Sequence, residues 1–224
     1  MRQFILAAQG QGVAPATGYD ALQVARIVDA DGYPITPDVV LAAYHHGCFP
    51  MADDRNGRLR WYRPAERAII TWDLYQVPKS LSKVARNRQP YRLTINQDFD
   101  AVIGACAERS STWISDDVEA LYSALHRLGH AHSVEAWNAA GVLVGGCYGL
   151  AIGGIFCGES MFHRAPDASK LCVMYLIDRL QTNGFALLDC QQQTPHMERF
   201  GAYTIDEATY TELLDTHADH RPFP

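Results

Sequence analysis

The chain has 224 residues, of which 48% are hydrophobic and 20% charged, a composition that fills the core of one large domain or of one domain with a small N-terminal partner. No apolar run approaches the ~18 residues of a transmembrane helix, and the first residues lack a signal-peptide pattern, so we expect a cytoplasmic protein that does not enter the membrane. The formal net charge of −6 argues against nucleic acid as a partner unless the cations are concentrated locally.

The first predicted helix begins at Thr36-Pro37-Asp38. Thr36 suits the N-cap, Pro37 the first turn and Asp38 the positive end of the helix dipole. The helix should end at Gly47, which favours the backbone conformation that closes a helix. We predict a loop over residues 48–57 and a short strand near 67–72, while residues 1–35 predict no element.

Residues 79–92, here called the basic segment, read KSLSKVARNRQPYR and contain no acid. Its five cations are Lys79, Lys83, Arg86, Arg88 and Arg92. We predict a short helix over 79–88, whose charged face either meets water or binds nucleic-acid phosphates. A strand at 91–97 and helices at 98–108 and 116–129 follow, and apolar residues recur in the last with the 3.6-residue period of one buried face.

The second half of the sequence is richer in predicted strands. Residues 132–138 and 141–163 predict strands with turns at NAAG and at Gly153-Gly154. A long helix at 168–184 and a short apolar strand at 185–191 come next. Antiparallel strands, then a helix, then another strand is the order of the acetyltransferase-like (GNAT-like) fold, so we predict an α+β protein with a mixed, mostly antiparallel sheet.

The last predicted strand ends in Asp189, Cys190 and Gln191. On a regular strand Asp189 and Gln191 leave the same face and Cys190 the other. The carboxylate of Asp189 could then accept a hydrogen bond from the Gln191 amide and orient it toward a substrate. Alternatively, these polar groups only meet water at the end of a strand.

Glu159 is a carboxylate inside the apolar stretch GGIFCGESMF. Because burying an unpaired carboxylate is costly, we expect it to face a cleft or to hold a cation. The plain alternative is a salt bridge with Lys170 or Arg164.

Other motifs fail on inspection. The sequence GESMF lacks the final glycine of a serine-hydrolase elbow, and His130 and His132 have no third metal ligand nearby. The six cysteines form no Cys-x-x-Cys pair, which argues against a zinc ribbon, and we expect no disulfides. A thiol nucleophile at Cys190 would point away from Asp189.

The loop HRAPDASK has no glycine with which to cradle a pyrophosphate. An acyltransferase without a metal and a nucleic-acid-binding module both remain open.

Several segments, taken in order, resemble the bacterial leucyl/phenylalanyl-tRNA–protein transferases. These segments are AYHHGCFPM, WYRP, TWI, LHRLGHAHSVEAW, LVGGCYGLAIGGIFCGESMF, ASK and LLDCQ…TPH…FGA, and together they cover roughly residues 36–206. The resemblance implies an N-terminal domain at 1–66 and an acetyltransferase-like catalytic domain at 67–224. It also implies an enzyme that needs no cofactor or metal and moves Leu, Phe or, less well, Met from aminoacyl-tRNA to proteins beginning with Arg or Lys, which marks them for degradation. A monomer is our default expectation.

The resemblance also implies roles for particular residues. Asp189 and Gln191 match the catalytic pair, Glu159 matches a carboxylate near the acceptor's N-terminus, and Trp113 matches a tryptophan beside the terminal adenosine. The basic segment lies where the family contacts the tRNA body. The positions of the aminoacyl pocket are Cys147, Phe156, Met161, Leu176 and Leu188. The plain alternative is that these residues are ordinary core.

This sequence departs from the family pattern at four positions. Met51 replaces a common tryptophan, Arg63 a serine, His163 a serine, and Cys147 a methionine. Cysteine is smaller than methionine, so we expect phenylalanine to be accepted at least as well as leucine.

Overall fold

The computed structural model describes residues 21–88, 90–219 and 222–223. These residues form two compact units, one containing the described residues up to 64 together with 107–131, the other containing 65–106 and the residues from 132 onward. The predicted domains at 1–66 and 67–224 stay a prediction, and residues 1–20 of the first lie outside the described residues. Within the described ranges, no helix is long and apolar enough to cross a membrane.

Helices and strands alternate along the chain. The helices are α1 (Ala21–Val24), α2 (Pro37–His45), α3 (Lys79–Asn87), α4 (Phe99–Ala107), α5 (Asp116–Arg127), α6 (Ala168–Thr182), α7 (Pro195–Glu198) and α8 (Glu207–Thr216). The strands are β1 (Phe49–Ala52), β2 (Leu59–Tyr62), β3 (Glu66–Thr71), β4 (Arg92–Ile95), β5 (Ala131–Trp137), β6 (Leu143–Ile152), β7 (Ile155–His163), β8 (Leu187–Gln191) and β9 (Tyr203–Asp206).

The first unit contains α1, α2, α5 and a two-stranded sheet of β1 and β2. The predicted start of α2 is confirmed, because the Thr36 hydroxyl accepts the N–H of Val39 at 3.4 Å. The loop predicted for residues 48–57 is wrong at its start, since β1 pairs antiparallel with β2 through Phe49–Ala52. Pro50 hid this strand from sequence reasoning, because proline inside a run argues against a strand, although an edge strand tolerates it.

The second unit contains a seven-stranded sheet in the order β4-β5-β6-β7-β8-β3-β9. β7 and β8 pair in parallel, whereas β3 is antiparallel to both β8 and β9, β4 to β5 and β6 to β7. Helix α6 makes the crossover that a parallel pair requires. The predicted order of hairpin, helix and strand and the α+β class are confirmed, but α7, β9 and α8 were not predicted.

One face of this sheet carries α6. A side chain at Gly145 would place its Cβ 2.5 Å from the Cβ of Ala168, so glycine lets the start of α6 lie against β6. Ile70, Phe156, Leu188 and Leu176 belong to one buried apolar cluster on this side of the sheet. Helix α8 approaches the opposite face, where Tyr210 is buried.

Candidate active site

The candidate site lies where β7 and β8 stop pairing. Their parallel register ends at Cys157 and Asp189, although β7 continues to His163. Each strand carries a β-bulge just beyond that pair: Glu159 is the extra residue of β7 against β6, and Cys190 is the extra residue of β8 against β3. Bulges bend a strand and re-aim its side chains, and they are frequent next to active sites.

Asp189 is completely buried, with no exposed surface. Its Oδ2 accepts hydrogen bonds from Arg67 Nη1 at 2.8 Å and from the Tyr210 hydroxyl at 2.7 Å. Arg67 is only 1% exposed, and its guanidinium carbon lies 4.6 Å from the centre of the Tyr210 ring. Burial, and next the charge of Asp189, raise the pKa of Tyr210 well above its usual range, so the phenol stays protonated and donates. Asp189 is therefore fixed by its neighbours.

The second oxygen of Asp189 holds the backbone of Gln191. Oδ1 of Asp189 accepts the Gln191 N–H at 2.7 Å, and the N–H of Gln192 donates to the carbonyl of Cys190 at 2.7 Å. Gln191 thus sits at the centre of a γ-turn, with φ of 60° in the left-handed region. Non-glycine residues adopt this conformation only when their surroundings enforce it, and such strain is common at functional sites.

The side-chain amide of Gln191 points to Glu159. Its Nε2 donates to Glu159 Oε1 at 2.9 Å, which links the two bulged strands. An amide has two N–H donors and a carbonyl acceptor. This bond uses one donor, and the second N–H and the carbonyl oxygen remain for a reactant.

The structure corrects two expectations for this strand. Asp189 and Gln191 do not leave the same face, because the bulge at Cys190 pairs Asp189 with Ile69 and Gln191 with the adjacent Ala68. Asp189 also does not orient the Gln191 side chain, since it accepts the backbone N–H instead. The plain alternative of polar groups meeting water fails for Asp189, which is buried.

The thiol of Cys190 is poorly suited to be a nucleophile. Burial, and next the charge of Asp189, raise its pKa well above the ordinary value. The reactive form of cysteine is the thiolate, which this site disfavours.

We therefore expect Cys190→Ala to retain kcat within about threefold, because a protonated thiol is a poor nucleophile. Steady-state transfer assays on both proteins test this. A loss of a hundredfold in a variant that still folds, as judged by circular dichroism, would restore the thiol as a candidate.

The residues predicted for the aminoacyl pocket come together. Cys147, Phe156, Leu176 and Leu188 all belong to the buried apolar cluster, and Met161, the register partner of Cys147, packs against it. Phe156 and Leu188 are partners in the parallel β7–β8 register, one residue before Cys157 and Asp189. The apolar cluster and the Glu159–Gln191 pair thus share the same two strands, and the pocket assignment remains a prediction.

The basic segment forms α3 and the residues after it. Lys79, Lys83 and Arg86 recur at the spacing of one helix face and are exposed, while Leu81 is buried beneath them. Arg88 is the C-cap residue. Arg92 differs, because it begins β4, donates to Gln97 Oε1 at 2.9 Å and lies 5.6 Å from the centre of the Trp137 ring.

Other predicted residues are described separately. Trp113 is half-buried in the first unit, just before α5. Lys170 pairs with Asp167 at 2.7 Å, whereas the plain alternative paired it with Glu159. Within residues 21–88, 90–219 and 222–223, no group of three His, Cys, Asp or Glu side chains could hold a metal ion.

Sequence reasoning missed Arg67 and Tyr210. Arg67 had a signal, because a cation directly before the apolar run Ala68-Ile69-Ile70 is unusual in a buried strand. Tyr210 had none, since a tyrosine on an ordinary amphipathic helix carries no mark of its partner.

Together these features suit an acyltransferase. An amide and a carboxylate lie side by side at a strand end, next to an apolar cluster, and a buried ion pair holds the backbone of the residue that carries the amide. Comparison with known proteins gives the particular family.

The sequence model described as leucyl/phenylalanyl-tRNA protein transferase matches residues 69–215, and that of the N-terminal domain of the same transferase matches residues 34–65. A leucyl/phenylalanyl-tRNA–protein transferase of Rubrobacter xylanophilus is 49% identical over 180 residues, covering 80% of this chain and 93% of the relative. The chain belongs to the leucyl/phenylalanyl-tRNA–protein transferase family and is an aminoacyltransferase.

Two solved structures have backbones that are similar in part to this one. L-PGS from Bacillus licheniformis has a TM-score of 0.44 and 12% identity, covering 80% of this chain and 69% of that one. A GCN5-related N-acetyltransferase-like protein from Streptococcus suis has a TM-score of 0.39 and 14% identity, covering 75% and 64%. Both scores are low, and the family assignment rests on the sequence matches.

Proposed function

We propose that the protein transfers Leu, Phe and, less well, Met from aminoacyl-tRNA to the α-amine of proteins that begin with Arg or Lys, and so marks them for degradation. The observation that carries this proposal is the Gln191–Glu159 bond, at 2.9 Å, above an apolar cluster on the same strands. Charged tRNA is a cytoplasmic substrate, so we place the reaction in the cytoplasm, with the enzyme acting as a monomer without a cofactor.

The chemistry is aminolysis of an ester. The neutral α-amine attacks the carbonyl carbon, the bond from that carbon to the ribose oxygen breaks, and an amide forms. The proton lost by the amine ends on the departing ribose oxygen, and the 2′-hydroxyl of the tRNA can deliver it. The reaction is downhill without ATP, so the enzyme has to position the two reactants, which can contribute roughly 7–11 kcal/mol.

Each residue of the site has a separate part in this proposal. The second N–H of the Gln191 amide is available to stabilise the oxyanion that forms on the ester carbonyl. The carboxylate of Glu159 steadies the acceptor amine and complements the positive charge of an acceptor with N-terminal Arg or Lys. Asp189 is a positioning residue, because its buried oxygens accept from Arg67, Tyr210 and the backbone of Gln191.

The donor side chain would enter the apolar cluster. Phe156, Leu188, Leu176 and Cys147, with Met161 beside them, are buried and carry no charge, which suits the side chains of Leu, Phe and Met. The terminal adenosine would stack on Trp113, a contact worth about 1–3 kcal/mol in single-stranded recognition.

The basic segment would bind the tRNA body. Its exposed cations can contact phosphates without reading bases, which suits an enzyme that accepts several tRNAs.

Binding of charged tRNA should therefore weaken steeply with salt. We expect Lys83→Ala/Arg86→Ala to reduce the slope of log affinity against log salt by about 1.5–2, since each phosphate contact on a duplex contributes about 0.9. Filter binding at several salt concentrations measures this. Arg58→Ala, an exposed arginine outside the segment, is the control, and an equal slope in all three proteins would exclude the segment from binding.

One assay tests the function against its alternatives. The enzyme is incubated with labelled Phe-tRNA or with acetyl-CoA and with a peptide that begins with Arg, and transfer of label is followed. The same peptide with an acetylated N-terminus is the control. Transfer from Phe-tRNA to the free amine alone supports the proposal. Binding of tRNA without transfer would indicate a non-catalytic relative, and transfer from the thioester would indicate a different acyl donor.

A further inference from the structure

The chain after α8 runs along the turn between β6 and β7. The carbonyl of His217, the C-cap residue of α8, accepts the N–H of Gly154 at 2.7 Å. A side chain at Gly153, whose φ is 56°, would place its Cβ 2.2 Å from that same carbonyl oxygen. Glycine at this turn therefore lets the C-terminal chain lie against the end of the sheet at which β7 begins.

Further along, Phe223 packs on the face of the sheet opposite to Tyr210. Its ring stacks on His132 with centroids 4.0 Å apart and an interplanar angle of 13°. It also contacts Phe156 at 5.2 Å and Phe185 at 6.3 Å, in a tilted and an edge-on arrangement. Phe223 thus packs against the apolar cluster that contains Phe156 and three other residues predicted for the donor pocket.

Phe223 lies far from the Glu159–Gln191 pair along β7. Phe156 lies three residues before Glu159 on β7, about 10 Å along the strand. Glu159 and Gln191 mark the end of the cluster where the ester would react, and Phe223 contacts Phe156 near the opposite end, where β7 begins. A donor side chain that extends from the reacting carbonyl toward Phe156 would therefore approach the ring of Phe223.

We propose that Phe223 closes the far end of the donor pocket and limits the size of the amino acid that is transferred. This inference rests on the proposed function. The family model ends at residue 215, so Phe223 lies outside the stretch that matches the family. That placement suits a residue that tunes the choice of substrate and takes no part in the chemistry.

The test is the selectivity of Phe223→Ala among donors of different size. One tRNA body is acylated with Leu, Phe or Trp, and kcat/KM for transfer to an Arg-initiated peptide is measured for each. We expect the Trp-to-Leu ratio of kcat/KM to rise about tenfold, because a pocket discriminates added apolar groups by factors of about 10–200. Phe223→Trp should keep the Trp-to-Leu ratio of the wild type or lower it. Pro222→Ala, which leaves the ring of Phe223 in place, should not change the ratio.

A merely structural role gives a different pattern. If loss of the ring only weakens the fold, kcat/KM falls by the same factor for all three donors. If the ring competes with the donor side chain for the pocket, kcat/KM rises by the same factor for all three. Either result, or an unchanged ratio, overturns the inference while leaving the proposed function intact. A wild-type enzyme that uses none of the three donors refutes the proposed function and this inference with it.

Discussion

Gln191→Ala should lower kcat for transfer by about a hundredfold. In the proposed mechanism the amide stabilises the oxyanion, and removing one such donor typically costs 10²–10³ in kcat. Its Nε2 is held by Glu159 at 2.9 Å, so the amide is already oriented before the substrates bind. Because the reacting groups would still be bound, KM should change little. Steady-state kinetics with Phe-tRNA and an Arg-initiated peptide give both constants.

Two variants separate the amide from the backbone. Gln191→Gly removes the amide, so its activity should fall as far as that of Gln191→Ala. Because glycine adopts the left-handed conformation at φ of 60° without strain, its stability should not fall as far as that of the alanine variant. Gln192→Ala changes the next, exposed side chain and should keep kcat within about twofold. If Gln191→Ala kept half the activity of the wild type, the amide would be excluded from the reaction.

Asp189→Ala should destabilise the fold and abolish transfer together. It leaves Arg67, which is 1% exposed, without its carboxylate, and breaking a buried ion pair in this way costs about 3–5 kcal/mol. That is a large share of the roughly 5–15 kcal/mol that stabilises a typical protein. Urea unfolding measures the change in free energy.

A paired replacement separates stability from positioning. Arg67→Met/Asp189→Leu removes both charges, and well-packed apolar side chains commonly replace a buried pair at little cost, so stability should return to within about 2 kcal/mol of the wild type. Transfer should stay at least a hundredfold slower, because the N–H of Gln191 still lacks its acceptor. Recovery of activity along with stability would show that Asp189 matters for folding alone. Tyr210→Phe, which removes the hydroxyl that donates to Asp189, should cost only about 1–3 kcal/mol.

Sequence reasoning succeeded where one local rule decided the outcome. The cap at Thr36 and the buried face of α5 follow from residues within a few positions of each other, and the structure has both helices. It failed at Cys190, because alternation assumes a regular strand, and nothing in LLDCQ reveals a bulge. The bulge depends on how β8 pairs with β3, which is distant in the sequence.

The partners of Asp189 show the same limit. Arg67 is 122 residues away and Tyr210 is 21 residues away, and only the folded sheet brings them together. The residues themselves indicated a polar group at the end of β8, and the resemblance indicated its role. Neither could indicate that the carboxylate is sealed from solvent and holds a backbone turn. The pocket, the stacking on Trp113 and the tRNA surface stay predictions, because each concerns a substrate that the chain alone does not contain.

The hydrogen bond between Tyr210 and Asp189 joins two parts of the chain that are synthesised one after the other. The strand that bears Gln191 is translated before α8, so a chain still growing on the ribosome lacks the hydroxyl that helps to fix Asp189. The site can take its final form only after α8 has been synthesised and has packed on the sheet. The fold thereby makes the position of Gln191 depend on a helix that is translated after it.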